Sequence, residues 1–141
     1  MGKQNMYEHS LKVPFIAVGK TIAANCVIQT PICLQDVVPT TLELAHAPIP
    51  SQIEFKSLNP LFSGQETAHY PIIACAYMDS QRMARKGDFK LLYYPSIGRC
   101  QLFNLRDDPH EMRDLYRDPA NLPLVAELKA ALLPPFLKKK P

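Results

Sequence analysis

The chain has 141 residues, 47% hydrophobic and 21% charged, with a formal net charge of +3. That is long enough for a domain with a core and too apolar for wholesale disorder, and the charge is too small to argue for nucleic acid as a partner. No stretch approaches the roughly 20 apolar residues of a membrane span, and no basic-then-apolar leader stands at the N-terminus. No membrane partner is therefore expected, and the compartment is left open.

Fourteen prolines against five glycines imply many fixed bends and extended connections. The only basic run, Lys138–Lys140, reads as a solvated tail. Cys26, Cys33, Cys75 and Cys100 match no zinc spacing. They read as buried thiols, with a loop disulfide between Cys26 and Cys33 as the alternative. His9, His46, His69 and His110 lack any ligand spacing and are expected in loops or on the surface.

In chain order, VPFIAV (13–18) is an apolar run typical of a strand buried on both faces. A second apolar run, NCVIQTPICL, follows. Leu34, Val38, Leu42 and Ala45 then recur at three- and four-residue steps. They predict a helix that starts near Gln35 or Asp36, carries Pro39 in its first turn and stops before Pro48. Strand and helix together read as one βα unit of an α/β domain. Residues 47–71, with Pro48, Pro50, Pro60, Pro71 and Gly64, read as a Pro-rich linker or surface excursion.

From residue 72 the pattern turns to sheet. YPIIACAYMD, QRMARK, FKLLYYP and CQLFNL predict a meander of three or four antiparallel strands with one covered face. Lys86-Gly87-Asp88 and Pro95–Gly98 supply turns. RDDPHEMRDLY carries a helix start, with Asp108 as cap, Pro109 in the first position and Glu111 reaching back to the cap amide. Leu122, Val125, Leu128 and Leu132 share one face of a helix over 121–133 that should lie on the meander.

Four segments together resemble the C-terminal portion of a sulfatase of the alkaline phosphatase superfamily, nearest to arylsulfatase or choline-sulfatase relatives. GKQNMYEHSLKVPFI (2–16) is similar to the family's G-K-x-x-x-Y-E segment before a V-P strand. ICLQDVVPTTLELAHAPIP resembles its D-x-x-P-T helix, and RMARKGDFKLLYY its R-x-G-x-[YF]-K hairpin. FNLRDDPHEMRDL is similar to its D-P-x-E tail motif. They stand in family order and cover essentially the whole chain.

The resemblance implies a fold in three parts. Residues 1–46 would be the C-terminal edge of the α/β catalytic domain and 47–71 a linker. Residues 72–141 would form an α+β subdomain, the meander covered by a C-terminal helix. It implies a parent that cleaves sulfate esters with a metal-held formylglycine, and it carries one catalytic position onto this sequence. Lys3 matches the lysine that touches the sulfate group, where an ammonium stabilises charge on the non-bridging oxygens. Tyr7 and Glu8 are expected to orient their loop rather than react.

None of the four cysteines stands in the family's C-x-P-S-R type nucleophile context. They are followed by VIQT, LQDV, AYMD and QLFN. The carboxylates that would hold calcium or magnesium in a full-length parent are also not matched, and in the family the last of them lies just upstream of the G-K segment. No cofactor is therefore expected in this chain, and as an isolated chain it is expected to be inactive. Residues 1–46 are expected to be its least stable part. Two alternatives stand beside this. One is a non-catalytic interaction module that oligomerises or packs on a missing N-terminal half. The other is a phosphodiesterase or phosphonate hydrolase of the same superfamily.

Overall fold

The computed structural model describes residues 4–20, 22–65 and 67–132. Lys3 and the basic run Lys138–Lys140 lie outside the described residues. The chain divides into two compact units: residues up to Pro14 together with those from Ile72 onward, and Phe15–Pro71.

The first unit is built on an antiparallel meander: β1 (Ile73–Tyr77), β2 (Gln81–Lys86), β3 (Phe89–Tyr94) and β4 (Arg99–Asn104), in that spatial order. Gly87 at φ 55° closes the two-residue β2–β3 turn, and Gly98 at φ 61° closes the turn into β4. Both sit where a Cβ would be strained. Period-two alternation sends Ala84, Leu91, Leu102 and Cys100 to one face. There they are covered by Val125, Leu128 and Leu132 of the C-terminal helix (Leu122–Leu132). Leu122, expected on the same stripe, opens the helix and is exposed.

The meander is covered on its second face as well, where one covered face was expected. Met83, Leu92 and Phe103 pack there with Met6, and Tyr7 and Leu11 close over them. Residues 4–11 thus form a strap on the sheet, ending in a one-turn helix, Glu8–Leu11. Backbone pairing extends beyond β4. Leu115 N–H donates to the Leu102 carbonyl (2.8 Å), and Leu102 N–H donates to Asp114 (3.0 Å). This occupies part of an edge that would otherwise invite pairing.

The helix expected after Asp108 is a turn instead. The Asp108 carboxylate accepts from Arg113 N–H at 2.7 Å, and backbone N–H donors, from Arg113 first and then Met112, hold that carboxyl below its usual range. The helix cannot propagate because Glu111 adopts φ 56°, left-handed and non-helical.

The second unit contains a two-turn helix, Val37–Leu44, entered through a 3-10 turn at Leu34–Asp36, and a single-turn helix, Asn59–Phe62. The longer helix starts and stops as its sequence predicts. Asp36 accepts from Cys33 N–H (2.7 Å) at the start. At the end, His46 adopts φ 54° while His46 and Ala47 N–H donate back to Glu43 and Leu42, a Schellman closure with histidine in the glycine position.

Two expectations fail in this unit. The run 13–18, which crosses into it, carries no regular secondary structure, and Ile16 and Val18 are 86% and 94% exposed. A strand of that kind needs ladder partners on both sides, and no described strand pairs with it. The longer helix, in turn, buries Asp36, Pro39 and Thr40, while Leu34 and Val38 of the expected apolar stripe are exposed. Cys26 is likewise exposed and is not bridged to Cys33, whereas Cys100 is buried.

Candidate functional site

A strand that reads F-K-L-L-Y-Y places Lys90 on the same face as Leu92, inside the core. In the sheet register Lys90 lies opposite Arg85 on β2 and Phe103 on β4. Its side chain is 0% exposed. A buried ammonium without partners would cost several kcal/mol, roughly, or would give up its proton. Here it has two carboxylates, Glu8 Oε1 at 2.9 Å and Glu111 Oε1 at 2.8 Å. Arg85 Nη1 stands 3.6 Å from Glu8 Oε2. Glu111 also accepts from the Glu8 backbone N–H at 2.5 Å. Two cations and two anions balance, so the cluster is neutral as a whole.

Around it the strap is pinned by neutral groups. The Gln81 side-chain amide accepts from Met6 N–H and donates to the Gln4 carbonyl, each at 3.1 Å, which imitates one step of a β-ladder. Tyr7 donates its hydroxyl to Gln101 (2.9 Å), and its ring tilts against Phe103. Burial, with the Tyr7 hydrogen bond second, pushes the Tyr94 phenol well above its ordinary value. Burial likewise raises the Cys75 thiol, which sits 3.8 Å from Met6 sulfur.

The second unit has its own polar centre. Asp36 is 0% exposed and accepts from Tyr70 O–H (2.5 Å) and Cys33 N–H (2.7 Å), with His69 Nε2 at 3.3 Å. Thr40 hydroxyl donates to the Asp36 carbonyl and accepts from Leu58 N–H (2.8 Å), which ties residues 56–58 to the helix. Burial, then the Asp36 hydrogen bond, push the Tyr70 phenol far above its usual value. His69 corrects its expected surface position: it is 4% exposed, beside Asp36. His9, His46 and His110 are exposed.

Tyr7 bonds to Gln101 and Glu8 pairs with Lys90, and Lys3 lies beyond the described residues. Lys90, Arg85 and Glu111 were not foreseen. The signal for Lys90 was a lysine on the inward phase of an otherwise apolar strand. For Glu111 the helix-cap reading of D-P-x-E concealed it. Among the described residues no three His, Cys, Asp or Glu side chains gather as metal ligands.

The cluster joins three of the motif segments. Glu8 comes from G-K-x-x-x-Y-E, Arg85 and Lys90 from R-x-G-x-[YF]-K, and Glu111 from D-P-x-E. Residues 1–135 match the family described as N-sulphoglucosamine sulphohydrolase, C-terminal. The chain belongs to this sulfatase family.

Among curated sulfatases, arylsulfatase K of Rattus norvegicus is 32% identical over 127 residues, which is 80% of this chain and 23% of that protein. The Homo sapiens protein is 31% identical over 127 residues, with 80% and 24% covered. The chain thus spans less than a quarter of the length of these relatives. A solved 2-O GAG sulfatase superposes with TM-score 0.59 at 26% identity, over 68% of this chain and 22% of that one. A phosphonate monoester hydrolase from Silicibacter pomeroyi gives TM-score 0.78 at 19% identity, over 92% and 30%. That second likeness is one of fold. The antiparallel meander under a C-terminal helix in this chain is consistent with the α/β-class sulfatase C-terminal fold.

Proposed function

We propose that this chain supplies the C-terminal part of a sulfuric-ester hydrolase and is inactive alone. The observation that carries the reading is the meeting of Glu8, Lys90 and Glu111. It ties the segment that resembles the sulfate-contacting motif to the sheet through Glu8, five residues along the chain from Lys3. In this reading Lys3 places its ammonium against a non-bridging sulfate oxygen, where charge accumulates as the ester bond breaks. In the same reading the meander and the C-terminal helix wall the pocket of the full-length parent. A formylglycine nucleophile and a calcium or magnesium ion belong to the rest of a full-length parent, and no step is assigned to them here.

Grafting the chain in place of the matching region of arylsulfatase K tests this. The graft should hydrolyse an aryl sulfate in preference to an aryl phosphate. Lys3→Ala in the graft should lower kcat/KM by about 10²–10³-fold, the usual cost of a lost charge-stabilising donor. A graft that is folded but indifferent to Lys3→Ala would remove Lys3 from the site. The 141-residue chain alone, assayed with calcium or magnesium and then with chelator, should show no turnover.

A second reading, a non-catalytic interaction module, is supported by the exposed apolar residues Ile16, Val18, Leu34 and Val38. It expects a homo-oligomer by sedimentation. A monodisperse monomer would count against it.

A further inference from the structure

We propose that Lys90 is the lock that holds residues 4–11 as a strap on the second face of the meander. The proposal does not rest on the sulfatase reading above.

Three observations converge on it. The Lys90 ammonium reaches Glu8 Oε1 on the strap (2.9 Å) and Glu111 Oε1 on the turn after β4 (2.8 Å) from a fully buried position. A well-packed apolar residue would serve the sheet at least as well as a buried ion cluster. The charges therefore earn attention for what they select, which is one seating of the strap. Glu111 is held at φ 56°, a costly conformation for a residue with a side chain, and in it one carboxylate faces Lys90 through Oε1 while Oε2 accepts from Glu8 N–H.

The strap's remaining anchors agree in direction. Met6 is buried among Met83, Leu92 and Phe103, and the Gln81 side chain holds the Gln4 carbonyl, one residue from Lys3.

The test is amide hydrogen exchange on the full 141-residue chain, as wild type, Lys90→Met, Lys90→Arg and the triple variant Glu8→Gln/Lys90→Met/Glu111→Gln. In Lys90→Met the strap amides of Met6, Glu8, Ser10 and Leu11 should exchange at least about tenfold faster, as expected for local opening, while those of Leu91 and Leu102 keep wild-type rates. Lys90→Arg should restore much of the strap's protection. If Lys90→Met fails to fold, the triple variant, which leaves no buried unpaired charge, gives the same comparison.

Strap amides at wild-type rates in the triple variant would overturn the proposal. So would strap and sheet losing protection together in every variant, since Lys90 would then merely hold the sheet. No substrate enters this readout. Failure of the sulfatase reading would appear only in the graft, and failure of this proposal only here.

Discussion

The two units reach order by different chemistry. The meander unit hides Leu91, Leu102, Ala84 and Leu128 completely and pairs its buried Lys90 with Glu8 and Glu111 on the second face. The 15–71 unit buries few large apolar side chains, chiefly Leu58 and Leu61, and leaves Ile16, Val18, Val27 and Leu34 exposed. Its fixed point is a carboxylate, Asp36, which accepts from Cys33 N–H and Tyr70 O–H and has His69 beside it. Apolar burial scales with area and tolerates local error, whereas a hydrogen-bonded hub depends on a single residue. The meander unit should therefore unfold as a block, and the other should be the first to open.

The largest effect is expected in the meander. Leu128→Ala should cost about 2–5 kcal/mol by urea unfolding, because Leu128 sits between helix and sheet with no exposure. Amide exchange within 15–71 should stay as it was. A cost of well under 1 kcal/mol, roughly, would mean the helix is loosely seated.

Next comes Asp36→Ala. It removes the acceptor used by the part-buried Cys33 N–H and Tyr70 O–H, at about 1 kcal/mol for each hydrogen bond lost. Exchange should rise across 34–70 while the sheet is unmoved. Equal loosening of both units would erase the contrast between them.

A smaller effect is tied to pH. The folded state raises the Tyr70 phenol and so holds its proton more tightly than the unfolded chain does. The stabilisation is complete below the ordinary tyrosine value near ~10 and is lost as pH rises through it. Protection of 15–71 should accordingly fall in alkali, and Tyr70→Phe should flatten that slope. An unchanged slope would show that Tyr70 does not report on this unit.

The smallest effect concerns the outward stripe. Leu34→Gln, at a residue 69% exposed, should change stability by no more than about 0.5 kcal/mol. A drop of several-fold that amount would mean the stripe is covered in solution.

Much of the meander was legible because period-two alternation, Gly87 and Gly98 all report local geometry. The longer helix was placed to within a residue or two by Pro39 and the stop before Pro48. What sequence alone did not give was long-range. VPFIAV looks like a central strand, but a strand is defined by its partners. D-P-x-E looks like a helix start, but Glu111 answers to Lys90 and to Glu8, 103 positions away. Met6 and Tyr7 on the second face could not be anticipated from the meander's own pattern. Residues 4–11 belong with the sheet, so within 1–46 low stability is now expected of 15–46.

Three of the four motif segments meet in the Glu8–Lys90–Glu111 cluster, and a double-mutant cycle on Glu8→Gln and Lys90→Met measures that meeting directly. Unfolding free energies of the four chains should show a coupling of about 1–3 kcal/mol, the range for paired residues in one network. Costs that simply add, to within about 0.5 kcal/mol, would mean that Glu8 and Lys90 are neighbours without being partners.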